Sequence, residues 1–320
     1  MPVDTPLPYQ PDQRRVFRLT PADAGFALAI LVLVIAASVA SDAFLTERNL
    51  TNIARQIVTN GLLSLGMLIV ILTGGIDLSV GPVVAFAGLL SIGLQTYMPW
   101  PLAAGVALLM GLAVGALNGF LIARFNLQPF IVTLATMGSV RGLIYIYSET
   151  PAYNESESFR SLLGAGFIGP VPVTALIFVV ALPIVWFYLN RTTSGRAIYA
   201  IGVNQEAVRL AGVNVRLHVI AAYMICAFFA ALAGVLLASR LGIAQPSVGI
   251  GYELDAIAAV VIGGGILGGG GGTVLGVAGG VLALALVDNV LNLFHVESYY
   301  QQVLKGAIIL VAVLARRKRA

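Results

Sequence analysis

Two oppositely charged residues, Asp288 and Lys305, lie inside long apolar segments near the end of the chain. An ionisable group within a membrane costs on the order of 2–3 kcal/mol, so such groups tend to find partners. Lys305 lies about 9 Å into its segment at the helical rise, and Asp288 lies at a similar depth in the segment before. The spacing predicts that they pair or share a polar network; outward snorkelling of Lys305 is the alternative.

Other polar side chains lie within or beside apolar segments and are candidates for a translocation path or for gating. Arg141 has no obvious partner, and it could face a watery path or reach Glu149. Asp77 or Ser79 either caps the helix entered at Pro82 or, in the case of Asp77, lines a gate. The amides either join helices by hydrogen bonds or offer donors and acceptors to a polyhydroxylated solute. The candidates are Asn60, Asp77, Asn118, Arg141, Asp288, Asn289, Gln302 and Lys305.

Residue patterns that support catalysis are missing from the chain. It has no Gly-x-x-x-x-Gly-Lys-Ser/Thr phosphate loop, so it is not itself a P-loop ATPase. His218 and His295 are its only histidines, and no cysteine or carboxylate cluster stands at metal-ligand spacing. No Gly-x-Ser-x-Gly or Cys/His arrangement indicates a nucleophile. We therefore expect no enzymatic activity, no metal site and no cofactor bound by this chain.

The polar segment 190–217 separates two long apolar segments and holds a predicted small helix. Asn204 is a predicted N-cap, Glu206 lies in the first turn, and Gly212 is the predicted C-terminal stop. A short capped helix between two membrane spans is an element on which a partner protein can push. Four of the eighteen basic residues lie in this segment, namely Arg191, Arg196, Arg209 and Arg216.

The composition indicates a membrane protein. Of 320 residues, 59% are hydrophobic and 10% are charged, against about 25% charged residues in soluble domains. The prediction is an all-α integral membrane protein with about ten transmembrane helices. The domain would span 22–315, between a cytoplasmic tail (1–21) and a basic cytoplasmic tail (316–320). The predicted spans are 22–40, 57–73, 79–97, 102–123, 129–148, 172–189, 218–238, 254–268, 273–293 and 299–315.

Glycine patterns suggest how the predicted helices meet. Glycines at four-residue spacing, at 111, 115 and 119 and again at 272, 276 and 280, favour plain helix packing over a pore-lining role. The eighth span is short and glycine-rich, so it could be re-entrant or broken. Two glycine-containing stretches, 73–82 and 263–273, are distantly alike, and each is predicted to join two spans on the inner side.

The distribution of basic residues predicts the orientation. With the N-terminus inside and ten crossings, twelve basic residues fall on the cytoplasmic side and four outside, so the positive-inside rule favours two cytoplasmic termini. The segment 190–217 is then cytoplasmic. The four outer arginines are Arg48, Arg55, Arg160 and Arg240.

Three stretches resemble the bacterial ABC-type sugar permeases of the ribose, xylose, arabinose and galactose group. They are Leu72-Thr-Gly-Gly-Ile-Asp-Leu-Ser-Val-Gly81, Gly195-Arg-Ala-Ile-Tyr-Ala-Ile-Gly-Val-Asn-Gln-Glu-Ala-Val-Arg-Leu-Ala-Gly212, and a tail from Asn289 to Gly306. The resemblance extends from about residue 25 to the C-terminus. It fails in the glycine run at 263–272, where the family usually has a turn with hydroxyl and basic residues.

The resemblance implies an importer in the bacterial inner membrane. Two permease subunits, identical or paralogous, would work with cytoplasmic ATPase subunits that bind ATP and with a periplasmic sugar-binding protein. The outer loops 41–56, 149–171 and 239–252 would dock the binding protein, and their arginines either meet its acidic patches or merely solvate the loops. Nucleic acid is not an expected partner. The family's cytoplasmic coupling element matches Gly195, Asn204, Glu206, Ala207, Arg209 and Gly212.

Two other functions are weighed against this one. An ion-coupled secondary transporter of a small polar solute would work alone, and it would need intramembrane carboxylates, of which Asp288 is the clear example. A membrane-embedded enzyme is disfavoured by the missing nucleophiles and metal ligands. The sequence does not identify the sugar.

Overall fold

The computed structural model describes residues 21–317, and these fall into two units that divide between Asp42 and Ala43. The predicted tail 1–21 therefore falls almost wholly outside the described residues, as do the last three residues of the tail 316–320. In the first unit, α1 (Pro21–Ala40) presents exposed leucine, valine and isoleucine side chains, as expected for a helix that faces lipid.

The second unit is almost entirely helical, as predicted. Its helices are α2 (Glu47–Leu72), α3 (Val80–Gly93), α4 (Trp100–Phe125), α5 (Pro129–Tyr147), α6 (Glu157–Phe159), α7 (Val173–Arg191), α8 (Thr193–Val203), α9 (Gln205–Leu210), α10 (Val215–Leu241), α11 (Tyr252–Ile262), α12 (Val274–Leu293) and α13 (Ser298–Arg317). A 3₁₀ turn (Leu94–Thr96) follows α3, and a π-helical turn (Arg160–Gly164) follows α6.

Four two-residue strands complete the described secondary structure. β1 (Ala152–Tyr153) pairs antiparallel with β4 (Ile243–Ala244), with Ala152 opposite Ala244. β2 (Phe167–Ile168) pairs antiparallel with β3 (Val171–Pro172). The first pair joins the segment after α5 to the end of α10, so both connections lie at the same end of the helices.

Six helices are long and apolar enough to cross a membrane among the residues searched: α2, α4, α5, α7, α10 and α12. The prediction of ten crossings is therefore not established. The predicted third span corresponds to α3, which has 14 residues and a length of about 21 Å. The predicted eighth span corresponds to α11, which has 11 residues and is about 16 Å long, too short for roughly 30 Å of hydrocarbon.

The centre of the second unit is formed by α2 and α10. From Leu62 to Leu72 every residue of α2 is buried, and α2 packs against α7, α10, α11 and α12. α10 packs against α2, α3 and α4. A methyl group built on Gly111, Gly115 or Gly119 of α4 would overlap the backbone of α10, so the predicted packing role of this glycine series is confirmed.

Candidate functional site

The predicted small helix of the segment 190–217 is present as α9. The side chain of Asn204 accepts a 2.9 Å hydrogen bond from the Ala207 N–H, so the predicted N-cap is confirmed. Gly212 has a φ of +80°, and the Val213 N–H donates to the Val208 carbonyl, so the chain leaves the helix where the glycine was expected to stop it.

An ion pair lies on the exposed face of α9. The Arg209 Nε donates a 2.9 Å hydrogen bond to Glu206 Oε2, and its second guanidinium nitrogen contacts the other carboxylate oxygen. This hydrogen bonding lowers the pKa of Glu206 and raises the pKa of Arg209 from their ordinary values. Two large apolar side chains, Val203 (76% exposed) and Leu210 (75% exposed), flank the pair. The helix therefore offers both charge and apolar area to a partner.

A second helix, α8, precedes α9 and was not predicted from the sequence. Thr192 caps it by accepting a 3.0 Å hydrogen bond from the Gly195 N–H. Gly195 packs so closely on the end of α7 that a methyl group there would overlap the Tyr188 carbonyl oxygen. Ile198 and Ile201 turn into the core. Gly195 thus fixes α8 against α7, while Ala207 and Arg209 lie on the exposed α9.

The far end of α8 touches the last residue of α2 and the loop before α12. We call residues 73–79, between α2 and α3, the first loop, and residues 263–273, between α11 and α12, the glycine loop. A methyl group on Gly202 would overlap both the Leu72 carbonyl oxygen and the Gly270 amide nitrogen. Gly270 also donates a 3.0 Å hydrogen bond to Leu72 O, and the Tyr199 hydroxyl donates a 2.9 Å hydrogen bond to Gly272 O.

At this glycine junction, Gly202 and Gly269 lie so close to neighbouring backbone atoms that a Cβ atom on either would overlap them. Gly74 and Gly269 have positive φ values, of 85° and 97°, so glycine is also favoured there by conformation. A displacement of α8 would affect both the end of α2 and the glycine loop, because its backbone lies against both.

A cavity of about 640 Å³ lies beside α9, and we call it the α9 cavity. Its polar lining includes Arg124 from the last turn of α4 and Asn126 just after that helix. Gln205, Glu206, Arg209 and Arg216 contribute from α9 and the start of α10. Gly75 and Tyr223 also line it, and the Tyr223 hydroxyl lies 3.5 Å from the Ile76 carbonyl oxygen.

A chain of buried polar groups connects the first loop with α4 and α5. Ser79 donates both its N–H (2.9 Å) and its hydroxyl (2.6 Å) to Asp77 Oδ1. Asn118 donates to the Ser79 hydroxyl at 3.0 Å, and Thr136 donates to Asn118 Oδ1 at 2.6 Å. Asp77 Oδ2 has no hydrogen-bond partner in the described chain. Asp77 and Asn118 were candidates from the sequence, but the hydrogen bonds that connect them through Ser79 were not predicted.

The predicted capping of α3 by the side chain of Asp77 or Ser79 is not found in the structure. The helix begins at Val80, two residues before Pro82, and Ser79 occupies the N-cap position without a side-chain hydrogen bond to the helix. The Ser79 hydroxyl donates to Asp77 instead. Neither side chain caps α3, because Asp77 and Ser79 satisfy each other.

The predicted pairing of Asp288 with Lys305 is confirmed, with 3.0 Å between Lys305 Nζ and Asp288 Oδ2. Lys305 also reaches Asp255 Oδ2 of α11, at 3.1 Å. Asp255 was missed, although it is an acidic residue in the first turn of a short apolar helix, which is a visible signal. The three side chains join α11, α12 and α13.

The remaining polar candidates take different positions. Arg141 donates to the carbonyl oxygens of Pro246 (2.6 Å) and Val248 (3.0 Å) and not to Glu149. Asn289 exchanges hydrogen bonds of 2.8 and 3.0 Å with Asn49, which the sequence analysis did not name. Asn60 is half-buried in α2 and Gln302 is exposed on α13. The neighbouring Gln301 donates to Asn292 at 2.9 Å.

Among the described residues, no group of three or more His, Cys, Asp or Glu side chains could hold a metal ion. The geometry instead presents two polar regions that lie at different depths, the exposed α9 and the buried Asp77 chain. Between them lie the glycine junction and the α9 cavity.

Comparison with known proteins identifies the family. Residues 49–313 match the model of the branched-chain amino acid transport system / permease component family. The ribose import permease RbsC of Bacillus subtilis is 41% identical over 97% of this chain and 98% of its own length. RbsC of Escherichia coli K12 is 40% identical over 91% and 92%. The L-arabinose permease AraH of Escherichia coli K12 is 40% identical over 92% and 90%.

No solved structure matches the chain. The family match covers more than half of the chain, and the six apolar helices are those of a multi-pass membrane protein. The three relatives given above are all permease proteins of transport systems. The chain therefore belongs to the branched-chain amino acid transport system / permease component family, as a membrane transport component and not an enzyme.

Proposed function

We propose that this chain is the membrane-spanning permease subunit of an ATP-driven, binding-protein-dependent importer of a monosaccharide. The relatives named for ribose and L-arabinose support this solute class, because they match nine-tenths or more of the chain. The partners are a second permease subunit, cytoplasmic ATPase subunits that bind the ATP, and a periplasmic sugar-binding protein. The location is the inner membrane of a bacterium.

The proposed topology has about ten membrane-embedded segments within 22–315, with both termini in the cytoplasm. The excess of basic residues on the inner side supports this orientation. The short helices α3 and α11 each lie next to one of the two glycine-containing loops, so they account for the two embedded segments that are too short to cross as helices.

The observation that carries the proposal is the contact of Gly202 in α8 with the last residue of α2 and with the glycine loop. An ATPase subunit that moves the exposed face of α9 would also move α8, because one residue, Asn204, separates the two helices. The ends of α2 and α12 would then shift as rigid elements, which is one way to switch a path between its two sides. The coupling residues are Gly195, Asn204, Glu206, Ala207, Arg209 and Gly212.

The path itself is proposed to include the polar groups at membrane depth. In this conformation Asp77 is fully buried and lies behind Gly75 and Tyr223, which line the α9 cavity. Opening at Tyr223 would expose the Asp77–Ser79–Asn118 chain to the cavity. The path candidates are Asn60, Asp77, Asn118, Arg141, Asp288, Asn289, Gln302 and Lys305.

Reconstitution in proteoliposomes tests this function. The permease is combined with its ATPase and its binding protein, and uptake of radiolabelled ribose, arabinose and allose is followed as each component is omitted. We expect uptake that requires all three proteins and ATP. Uptake by the permease alone, driven by a proton or sodium gradient, would establish the ion-coupled transporter instead.

A further inference from the structure

A second polar cavity lies at the opposite ends of α2 and α10 from the α9 cavity, and we call it the far cavity. Arg55 of α2 and Arg240 of α10 line it. Along α2, Arg55 is 17 residues, or about 25 Å, from Leu72 at the glycine junction. Along α10, Arg240 is 24 residues, or about 36 Å, from Arg216 of the α9 cavity. If α9 is cytoplasmic as proposed, the far cavity is on the outer side.

The lining of the far cavity is almost wholly polar. Its volume is about 510 Å³, within the range of roughly 300–1,000 Å³ found for ligand pockets. One leucine, two arginines and five side-chain amides line it, and none of the lining residues described by the structure is acidic. Such a concentration of amides and guanidinium groups is unusual in a chain with 10% charged residues.

Part of this lining is already engaged within the protein. Asn49 and Asn289 exchange reciprocal hydrogen bonds, and Asn49 also donates to the Phe44 carbonyl oxygen. Asn292 accepts a hydrogen bond from Gln301, so these three amides shape the wall of the cavity. The Arg55 guanidinium lies 4.9 Å from the centre of the Phe167 ring, and this contact orients its plane.

Other polar groups are free to bind a ligand. Arg55 Nε is buried and has no hydrogen-bond partner in the described chain. Asn52 and Gln56 lie one helical turn apart on α2, and no hydrogen bond of either side chain is present among the described residues. A buried donor without a partner destabilises the protein, so a ligand that supplies the missing acceptor is favoured there.

The types of side chain indicate the class of ligand. An amide both donates and accepts hydrogen bonds, as a sugar hydroxyl does, whereas an anion can only accept. Asn52 and Gln56, the two lining amides without a hydrogen bond in the described chain, therefore fit a neutral polyhydroxylated molecule better than they fit a carboxylate. The two arginines add donors with fixed geometry. We propose that the far cavity is an entry site that binds a monosaccharide through Asn52, Arg55, Gln56 and Arg240 before it crosses; this inference rests on the proposed function.

Cysteine protection tests the site in the permease alone. Asn52→Cys and, separately, Gln56→Cys are placed in the full chain in nanodiscs, and the rate of reaction with a water-soluble methanethiosulfonate is measured. The unmodified chain is the blank, because its one cysteine, Cys226, is buried. The control is Ser158→Cys, an exposed position that does not line the cavity.

We expect millimolar ribose, arabinose or allose to slow labelling several-fold at both cavity positions and not at 158. Arg55→Gln should raise the sugar concentration that gives half-protection several-fold, whereas Arg160→Gln, outside the cavity, should leave it unchanged. The proposal is overturned if none of the three sugars protects either position. It is also overturned if acetate protects and the sugars do not, because the cavity is then a carboxylate site.

The outcome is distinguishable from that of the proposed function. The labelling assay contains no ATPase, ATP or binding protein, so a failure of ATP-driven uptake would leave protection by sugar unaffected. Conversely, normal ATP-driven uptake without protection would reject the entry site and keep the function.

Discussion

The amide of Gly270 donates a 3.0 Å hydrogen bond to the carbonyl oxygen of Leu72, and Gly202 lies against both atoms. The bond joins the glycine loop to the last residue of α2. Three segments that are far apart in sequence thus meet at Gly202, Gly270 and Leu72 through backbone atoms. A contact of this kind is stiff, because no flexible side chain can adjust its length.

The first prediction concerns Gly202→Ala. The added methyl group would overlap Leu72 O and Gly270 N, so α8 must move away from the end of α2 and the glycine loop. Overpacking of this kind costs typically 1–3 kcal/mol. We expect the reconstituted importer to lose most of its uptake, while basal ATP hydrolysis by the ATPase subunits continues. Both rates are measured in the same proteoliposomes.

Gly138→Ala is the matched control for that substitution. A methyl group at Gly138 in α5 meets no other atom within 4 Å, and alanine is favoured over glycine in a helix by about 1 kcal/mol. Uptake and thermal stability should therefore match or exceed those of the unmodified chain. Equal uptake in the two alanine variants would show that the glycine junction does not transmit motion.

The second prediction concerns the ion pair on α9. Glu206→Gln and Arg209→Gln each break an exposed pair, which contributes about 0–1 kcal/mol to stability, so both variants should fold and insert normally. We expect each to reduce sugar-stimulated ATP hydrolysis several-fold, because the exposed face of α9 is where the ATPase subunit is proposed to bind. Wild-type stimulation in both variants would contradict the assignment of α9 as the coupling helix.

Local features of the sequence predicted the parts of the site that depend on neighbours along the chain. Asn204 and Gly212 mark the two ends of α9, because helix capping depends on contacts that span only three or four residues. Asp288 and Lys305 lie on consecutive helices joined by a short connection, so similar depth was sufficient to predict their pairing.

Contacts between distant segments could not be predicted in this way. Asp255 is 50 residues from Lys305, and Asn49 is 240 residues from Asn289. Hydrophobic periodicity also gives no end point for a helix such as α11, which stops at Ile262. The glycines that follow favour turn conformations with positive φ, as at Gly264. Among the described residues, the ten predicted segments therefore correspond to six helices long and apolar enough to span a membrane, to the 20-residue α1 and α13, and to the shorter α3 and α11.

The third prediction concerns the reciprocal amide pair. Asn49→Leu or Asn289→Leu alone leaves the other amide buried without its partner, whereas the double variant removes both. A double-mutant cycle on thermal unfolding should give a coupling of about 0.6–1.7 kcal/mol, the range for interhelical hydrogen bonds in membranes. The cycle of Asn49→Leu with Asn118→Leu, whose side chains share no partner, should be additive. Additivity in both cycles would contradict a specific pair.

The fourth prediction concerns Lys305, which stands between the carboxylates of Asp255 and Asp288. Lys305→Met leaves two acidic side chains close together and without a cation, and removal of one partner from a buried pair costs about 3–5 kcal/mol. Asp255→Asn should cost less, because the bond from Lys305 to Asp288 remains. The triple change of Asp255→Asn, Asp288→Asn and Lys305→Met should recover stability relative to Lys305→Met, since no charge is left unpaired. Thermal unfolding of the permease in nanodiscs measures all three. If Lys305→Met were as stable as the unmodified chain, Lys305 would not join α13 to α11 and α12.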